Sequence, residues 1–600
     1  MSGDNKDLTG LDVRALEQRY AEERSRRIRP EGLEQYEDLR GRFAAFDADP
    51  NADPAFVRAA IADEVQALVI GGGFGGLLAG AHLRQQGVTS IRIVEKGADF
   101  GGTWYWNRYP GARCDVEAYI YMPMLEETGY VPTERYAGAD EIRAHGRRIA
   151  EQFGLYDGAL FQTVVTAARW DEADRRWIVA TDRGDSIRAR FLISCTGLFS
   201  NPKLPLIPGI EDFEGESFHT SRWNYAYTGG DASGGLTGLE GKRVGIIGTG
   251  STAIQVVPHV ARSAAQLIVF QRTPSSIDPR NNGPTDPDWV VGLKRGWARE
   301  RRDNFTDITS GAVATRDLVN DGWTDIVREV SIPVGGASFD PEKLALAQMK
   351  KMELSRRHIE RTVEDRATAE ALKPYYHYFC KRPGFSDDYL QAYNRANVTL
   401  VDTAGKGVER ITARGVVANG REYPLDCLIF ATGFDFLTEY ARETGLDIRG
   451  RSGRPLAEHW RDGTRTFHGM QTHGFPNFFF NGLYQAGVTI NYCHMADVQT
   501  AHIARIVGTC LRDDIEAIEP TKAAENAWVD EILAASGPRR AFLESCTPGY
   551  YNYEGKRGAT VELNEIYGGG PIRYVELLAE WERQEGMPGL EASYARRADA

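Results

Sequence analysis

Two glycine-rich turns, each set between an apolar strand and a helix-forming run, constrain the fold of this chain more than any other feature. The first reads Gly71-Gly72-Gly73-Phe74-Gly75-Gly76, after the apolar stretch Ala67-Leu68-Val69-Ile70 and before the run Leu77 to Leu83. It fits GxGxxG through Gly71, Gly73 and Gly76. The first glycine permits a tight turn, the second lets a pyrophosphate approach the backbone, and the third lets helix pack on strand. The helix that follows offers free N–H groups and a partial positive charge to the phosphates. Ile91 to Glu95 reads as the next strand, and Glu95 stands 19 residues beyond Gly76. A carboxylate there accepts hydrogen bonds from ribose hydroxyls and repels a 2′-phosphate, which points to FAD or NAD and away from NADP.

The second turn, Gly248-Thr249-Gly250-Ser251-Thr252-Ala253, fits the GxGxxA variant between the strand Arg243 to Ile247 and another helix. Its second strand, Leu267 to Arg272, closes with Gln271-Arg272-Thr273 where the first unit has Glu95. A guanidinium and a hydroxyl at that place suit a 2′-phosphate and select NADPH over NADH. One nucleotide is then a bound flavin and the other its reductant, the layout of a flavin reductase or flavin monooxygenase. Between about 285 and 370 the chain is rich in Arg, Glu and Lys with scattered apolar residues, which predicts helices covering one face. The expected fold is α/β: two Rossmann-like dinucleotide-binding domains with a helical insert and an N-terminal arm. The expected organisation is an arm over 1–63, the FAD domain over 64–208 and 428–600 with the C-terminal region, and the NADP domain over 209–427.

A length of 600 residues exceeds what one core usually supports, in keeping with several domains. In the arm, Asp12 is placed to cap a helix in which Val13, Leu16 and Tyr20 share one face, ending before Pro30. The formal net charge of −13 argues against nucleic acid or an anionic membrane surface as partner. Neither an apolar run long enough to span a bilayer nor a secretory signal is visible, so a cytoplasmic location is expected. The seven cysteines, Cys114, Cys195, Cys380, Cys427, Cys493, Cys510 and Cys546, contain no CxxC or CxxxxC pair. They are expected to be reduced thiols packed as small hydrophobes, with no metal site, so redox chemistry falls to a cofactor. This also removes a dithiol reductase from consideration, and the lack of a GxSxG elbow removes the common hydrolases.

Two stretches go beyond dinucleotide binding. Residues 101–115 read Gly-Gly-Thr-Trp-Tyr-Trp-Asn-Arg-Tyr-Pro-Gly-Ala-Arg-Cys-Asp, and residues 213–223 read Phe-Glu-Gly-Glu-Ser-Phe-His-Thr-Ser-Arg-Trp. The first resembles, at every position, the fingerprint GGxWxxxx(F/Y)P(G/M)xxxD of type I Baeyer–Villiger monooxygenases; the second matches that family's FxGxxxHxxxW. The family normally continues with Pro or Asp, where this chain has Asn224. The resemblance runs from about residue 64 almost to the end. The arm, the 225–239 segment and Cys546-Thr547-Pro548-Gly549-Tyr550-Tyr551 look most like the subgroup acting on large-ring or polycyclic ketones, which includes cyclopentadecanone monooxygenase and the pentalenolactone-pathway enzymes.

The resemblance implies a role for each matching residue. Arg382, after Lys381 and before Pro383, would be the essential arginine beside flavin and nicotinamide, oriented by Asp115. Lys381, Arg272 and Thr273 would hold the 2′-phosphate, with Arg113, Cys114, Gly248, Thr249, Gly250, Ser251 and Thr252 completing the NADP site. Gly71, Gly73, Phe74, Gly76, Glu95, Gly102, Thr103, Trp104, Asp115, Tyr121, Val165 and Met495 would hold FAD. His219 and Trp223 would form the hinge between domains. The implied reaction passes hydride from NADPH to flavin, adds O2 at C4a, and lets the deprotonated peroxyflavin attack a ketone to give an ester or lactone through a Criegee adduct. Arginine suits that site because it stays charged and does not act as an acid. The substrate pocket is expected near Arg382, the 484–495 segment and the helical insert, while Tyr375, Tyr376 and Tyr378 are expected to split between core and surface. A flavin N- or S-monooxygenase shares both loops and stays open as an alternative; a non-catalytic flavin-binding sensor would share the loops but not need Arg382. The particular ketone and the oligomeric state stay open.

Overall fold

The computed structural model describes residues 11–594 except 38, 40, 200, 313, 326–340, 436–439, 441–443 and 557–562. At its start Asp12 accepts from the Ala15 N–H at 3.0 Å and caps α1 (Val13–Arg27). Basic residues in the last turn of α1, Arg24, Arg26 and Arg27, complement the helix dipole. Tyr20 is buried against the body, edge-on to His377, and its hydroxyl accepts from Arg356 at 3.4 Å. Arg24 Nε donates to the Cys546 carbonyl and Arg27 Nε to Thr273 Oγ1, so the arm is tied to both the C-terminal region and the second glycine unit.

β1 (Ala62–Ile70) lies between β2 (Ile91–Val94) and the strand Ser186–Ser194, parallel to both. A central parallel strand is covered on both faces, which is why 67–70 is an unbroken apolar run. The α2 helix (Phe74–Gln85) carries the chain from β1 to β2 and packs on the long helix Tyr492–Arg512. An antiparallel pair of strands (Val165–Asp171 and Arg176–Thr181) extends this eight-stranded sheet, and Phe478–Phe480 joins it late in the sequence alongside Ser186–Ser194. The turn out of β1 needs glycine: Gly71 has φ +101, and a Cβ on Gly76 would lie 1.9 Å from the Gly71 carbonyl oxygen.

The second sheet has five parallel strands, with β3 (Arg243–Ile247) at its centre, β4 (Gln266–Gln271) on one side and Cys427–Phe430 on the other. Glu216–His219 and Val398–Asp402 form its edges, and α3 (Ser251–Ser263) joins β3 to β4. The boundary expected at 427/428 falls inside the strand Cys427–Phe430, so the chain leaves this sheet only after Phe430. Within the insert the described helices are Pro287–Val291, Trp297–Thr309, Pro341–Thr362 and Arg366–Leu372; its residues 326–340 lie outside the described set.

The stretch after Glu216–His219 is tightly bonded. His219 is buried, its Nδ1 lies 2.8 Å from Ser221 Oγ, and burial pushes its pKa down to about 3, so it stays neutral. The Trp223 indole N–H donates to Thr228 Oγ1 at 3.0 Å. Asn224 acts locally. Its Oδ1 accepts from the Tyr227 N–H and its Nδ2 donates to Glu216 at 2.6 Å, capping the short helix Tyr225–Thr228. A proline there would lack that capping amide.

The two glycine turns differ in a way that a paired substitution exposes. Gly250 has no atom within 4 Å of the position its Cβ would take, whereas Gly76 has the Gly71 carbonyl inside contact distance. Gly76→Ala is expected to destabilise the protein by about 1–3 kcal/mol, and Gly250→Ala by less than about 0.5 kcal/mol. Denaturant midpoints of the two variants, compared with the parent, check the contrast.

Candidate active site

Both glycine turns open onto one cavity of about 1570 Å³. Its wall brings together nearly every residue that the sequence singled out, from positions more than 300 residues apart. Of the residues expected to bind a cofactor or to react, Gly76 and Met495 do not line it. Gly76 sits beneath the turn, as expected of the glycine that lets helix approach strand. Met495 is buried in the helix Tyr492–Arg512, and its neighbours Tyr492 and Cys493 supply the wall there.

On the first-turn side, Glu95 is buried at the end of β2, and its two oxygens accept from the Gly72 and Gly97 N–H groups at 2.5 and 2.6 Å. Burial raises its pKa, with those two donors pulling the other way. Gly102 explains the paired glycines of the 101–115 stretch. Its φ is +52, and a Cβ there would lie 2.5 Å from the Gly73 Cα, so the two backbones touch beside the turn. Thr103 and Val165 line the wall. Trp104, Tyr121 and Phe74 form a chain of edge-on rings, and the Trp104 indole donates to the Tyr121 hydroxyl at 2.9 Å.

On the second-turn side, Gly248 takes φ +114 against the Ala431 carbonyl, and the open face of Gly250 leaves the backbone approachable by a ligand. Thr249 Oγ1 donates to the Thr273 carbonyl at 2.8 Å, drawing the turn to the end of β4; Ser251 and Thr252 line the wall beside it. Arg272 donates to Gln35 Oε1 at 2.8 Å and to Glu554 at 3.0 Å, a carboxylate no motif had indicated. Arg113 pairs with Glu134 at 3.2 Å and donates to the Tyr136 carbonyl. Cys114 is buried, which pushes its thiol well above the usual range and makes it a packing residue.

Where the two sides meet, Arg382 grips Asp115 side-on, through Nε at 2.6 Å and Nη2 at 2.8 Å. Trp323 supports both partners: its indole donates to the Asp115 carbonyl at 2.8 Å, and the guanidinium carbon lies 4.9 Å from its ring centre. Burial alone would raise the Asp115 carboxyl, but the Arg382 and Arg280 charges outweigh it and hold the pKa below its ordinary value. Burial would lower Arg382, yet Asp115 holds it well above its ordinary value. This arginine is a permanent cation whose Nη1 edge lies outside the pair.

The insert reaches the cavity through Thr309, Trp323 and Gln348, and the 484–495 segment through Val488 to Ile490 and then Tyr492 and Cys493. Tyr376 and Tyr378 are core residues and Tyr375 is half-buried under Arg19, so none of the three lines the cavity. Instead Tyr550, Tyr551, Phe379, Phe542 and Ile566 supply the aromatic and apolar wall.

One expectation fails. Cys380 and Cys546 form a disulfide across a sequence separation of 166, while Cys114, Cys195, Cys427, Cys493 and Cys510 are free and buried. No spacing rule reveals such a pair, because folding alone brings its partners together. It fastens the stretch Thr547 to Tyr551 to the residue immediately before Lys381, whose ammonium donates to the Pro548 carbonyl at 3.1 Å. Among the described residues no group of His, Cys, Asp and Glu is arranged to hold a metal, and no helix is long and apolar enough to cross a membrane.

A family model described as an NAD(P)-binding Rossmann-like domain matches residues 69–130. The chain is 50% identical to pentalenolactone D synthase of Streptomyces arenae over 592 residues, which is 97% of this chain and 100% of that protein. It is 48% identical to a Baeyer–Villiger monooxygenase of Streptomyces coelicolor over 604 residues, covering 98% and 99% of the two chains. Among solved structures it superimposes on the polycyclic ketone monooxygenase of the thermophilic fungus Thermothelomyces thermophila with a TM-score of 0.91. That match has 39% identity and covers 97% of this chain and 99% of the other.

The disulfide carries its own prediction. Replacing both Cys380 and Cys546 by serine is expected to remove about 2–4 kcal/mol of stability. Calorimetry should show the parent losing the same stability in dithiothreitol and the double variant indifferent to it.

Proposed function

The chain belongs to the Baeyer–Villiger monooxygenases, and on that premise we propose which of its residues carry the reaction and which ketones it accepts. It is an oxidoreductase that uses FAD and NADPH to insert one oxygen atom beside a ketone carbonyl, giving an ester or lactone. Held at the first glycine turn, FAD would supply the redox chemistry, accepting hydride from NADPH and activating O2.

The residues present fit both groups. The contact between Gly73 and Gly102 leaves the first turn's backbone bare for a pyrophosphate, with Glu95 and Val165 at the ribose end, where the Glu95 carbonyl accepts from the Thr163 N–H, and Trp104 and Tyr121 toward the ring. The second turn, open at Gly250, leads to Arg272, Thr273 and Lys381, a cationic end suited to a 2′-phosphate. Arg113 and Cys114 would border the nicotinamide half.

The observation that carries the mechanism is the side-on pair of Arg382 with Asp115 at the junction of the two sides. Asp115 fixes the plane of the guanidinium and removes any tendency to give up a proton. The outer Nη1 edge then donates to negative charge developing on the substrate's carbonyl oxygen, at no cost in reorganisation. Trp323 and the aromatic wall at Tyr550 and Tyr551 exclude water from that position.

The substrates we propose are bulky cyclic or polycyclic ketones. The apolar and aromatic wall of Phe379, Phe542, Ile566 and the two tyrosines supports this, as do the names of the relatives at 50% identity and of the superimposed fungal enzyme. A panel of ketones graded by ring size, with products identified by mass, tests it; a preference for small monocyclic ketones would reject it.

Arg382→Ala is expected to reduce flavin at a normal rate yet lose about 100- to 1000-fold in ester formation. Anaerobic stopped-flow reduction, set beside product yield, separates the two steps. Arg382→Lys should fail similarly, since an ammonium cannot make the side-on pair and the outer contact together.

A pH effect follows at Lys381, whose burial pulls its pKa down to about 8. Below that pH the ammonium is charged and attracts the 2′-phosphate; above it the attraction is lost. NADP⁺ affinity should therefore fall as pH rises through about 8, by up to about tenfold for each unit by which the phosphate raises this pKa. Titrations of the holoenzyme should show no such step for NAD⁺, and none for NADP⁺ with Lys381→Met.

A further inference from the structure

We propose that Glu554 is a built-in stand-in for the 2′-phosphate: the incoming phosphate displaces its carboxylate from Arg272 and so frees the 549–555 segment that walls the Arg382 site. This rests on the reading of Arg272 and Lys381 as the 2′-phosphate site.

Glu554 is only 4% exposed, and it faces positive charge from four separate parts of the chain. Arg272 Nη2 lies 3.0 Å from its Oε2, Lys203 Nζ lies 3.9 Å from its Oε1, and Lys381 and Arg29 also act on it. The Tyr36 hydroxyl hydrogen-bonds the same carboxylate and receives a long donor contact, 3.5 Å, from Arg272. Arg29, Lys203, Arg272 and Lys381 line the cavity wall with Glu554. Arg272, Lys203 and Lys381 converge on this one carboxylate, which leaves positive charge in excess at that point of the wall. A phosphate dianion matches the excess better than a monoanionic carboxylate and accepts more hydrogen bonds.

The backbone that presents the carboxylate is unfavourable. Tyr553 and Glu554 have φ of +54 and +56, two consecutive side-chain-bearing residues in the left-handed region. Such a conformation persists only where surrounding contacts impose it. The Glu554–Arg272 contact is one of them, so its loss lets the pair relax.

Release would be local. The disulfide to Cys380 anchors Cys546, and the Pro548 carbonyl accepts from Lys381, so the part left to move is 549–555. Tyr550 and Tyr551 lie within it, close enough to Arg382 for their hydroxyls to influence its charge. An event at the phosphate end thereby resets the wall at the reacting end. A cofactor without the 2′-phosphate has no means to displace Glu554, which makes this residue a second determinant of NADPH selectivity.

The test uses the flavin-loaded protein and two probes, adenosine 2′,5′-bisphosphate and 5′-AMP, with binding measured by calorimetry. Glu554→Gln, nearly isosteric, is expected to bind the bisphosphate about tenfold tighter by removing the competing charge, with 5′-AMP unchanged. In the parent protein, NADP⁺ but not NAD⁺ is expected to raise hydrogen–deuterium exchange across 549–555. Unchanged or weaker bisphosphate binding by folded Glu554→Gln overturns the proposal, and so does protection of 549–555 by NADP⁺. If the variant does not fold, the exchange experiment on the parent decides alone. Should the parent and Arg272→Ala both bind the two probes equally, the Arg272 assignment falls and this proposal with it. If discrimination is lost only in Arg272→Ala while Glu554→Gln is unresponsive, the Arg272 site stands and only the role of Glu554 is rejected.

Discussion

The pairing of Arg382 with Asp115 is the interaction on which the rest of this structure depends. A guanidinium and a carboxylate withdrawn from bulk water each carry a desolvation penalty of several kcal/mol, and removing one partner of such a pair typically costs about 3–5 kcal/mol. The two residues come from opposite ends of the architecture: Asp115 closes the stretch that follows the first glycine unit, and Arg382 follows the helical insert. Their bond holds these parts at one spacing, and Trp323 of the insert braces both partners. The same contact that joins them orients the charge used in the reaction.

Around that pair the chain has assembled a closed electrostatic system at each end of the cavity. At the flavin end, the Glu95 oxygens are taken up by backbone N–H groups, so a carboxylate is kept in place without any cation. At the other end the order is reversed: cations predominate, and one carboxylate, Glu554, keeps them together. The contrast separates two nucleotides that are otherwise alike. It is written in side chains, since both turns are built from the same glycine geometry.

The C-terminal region has an unusual share in this. The disulfide, the Lys381 contact and the ion pairs of Glu554 with Arg272 and Lys203 hold Cys546 to Glu554 to the body. α1 adds a further contact through Arg24 to the Cys546 carbonyl. The aromatic wall beside Arg382 is therefore supplied by a stretch whose position depends on the arm, on the second sheet and on the Cys380 loop together.

Local rules made much of this legible in advance. The glycine turns, the strand-end places of Glu95 and Arg272 and the Asp12 cap follow from strand–turn–helix spacing or helix-end hydrogen bonding. The 101–115 and 213–223 stretches carried the resemblance to the family, which pointed in turn to Arg382, and the structure brings Asp115 and Arg382 within 2.6 Å. Met495 is buried while its neighbours Tyr492 and Cys493 line the cavity, because a residue's place along a helix does not say which face it presents once that helix is packed. The disulfide, the Arg272–Glu554 pair and the Trp323 bond to Asp115 were invisible for another reason: they join residues 166, 282 and 208 apart in the chain. Sequence alone determined two nucleotide folds and their cofactors, since the glycine turns depend on short-range geometry, and resemblance to the family singled out Arg382. Only the tertiary structure decided what stands against that arginine and what balances the phosphate site, because buried charge is satisfied by whatever partner the whole fold brings near.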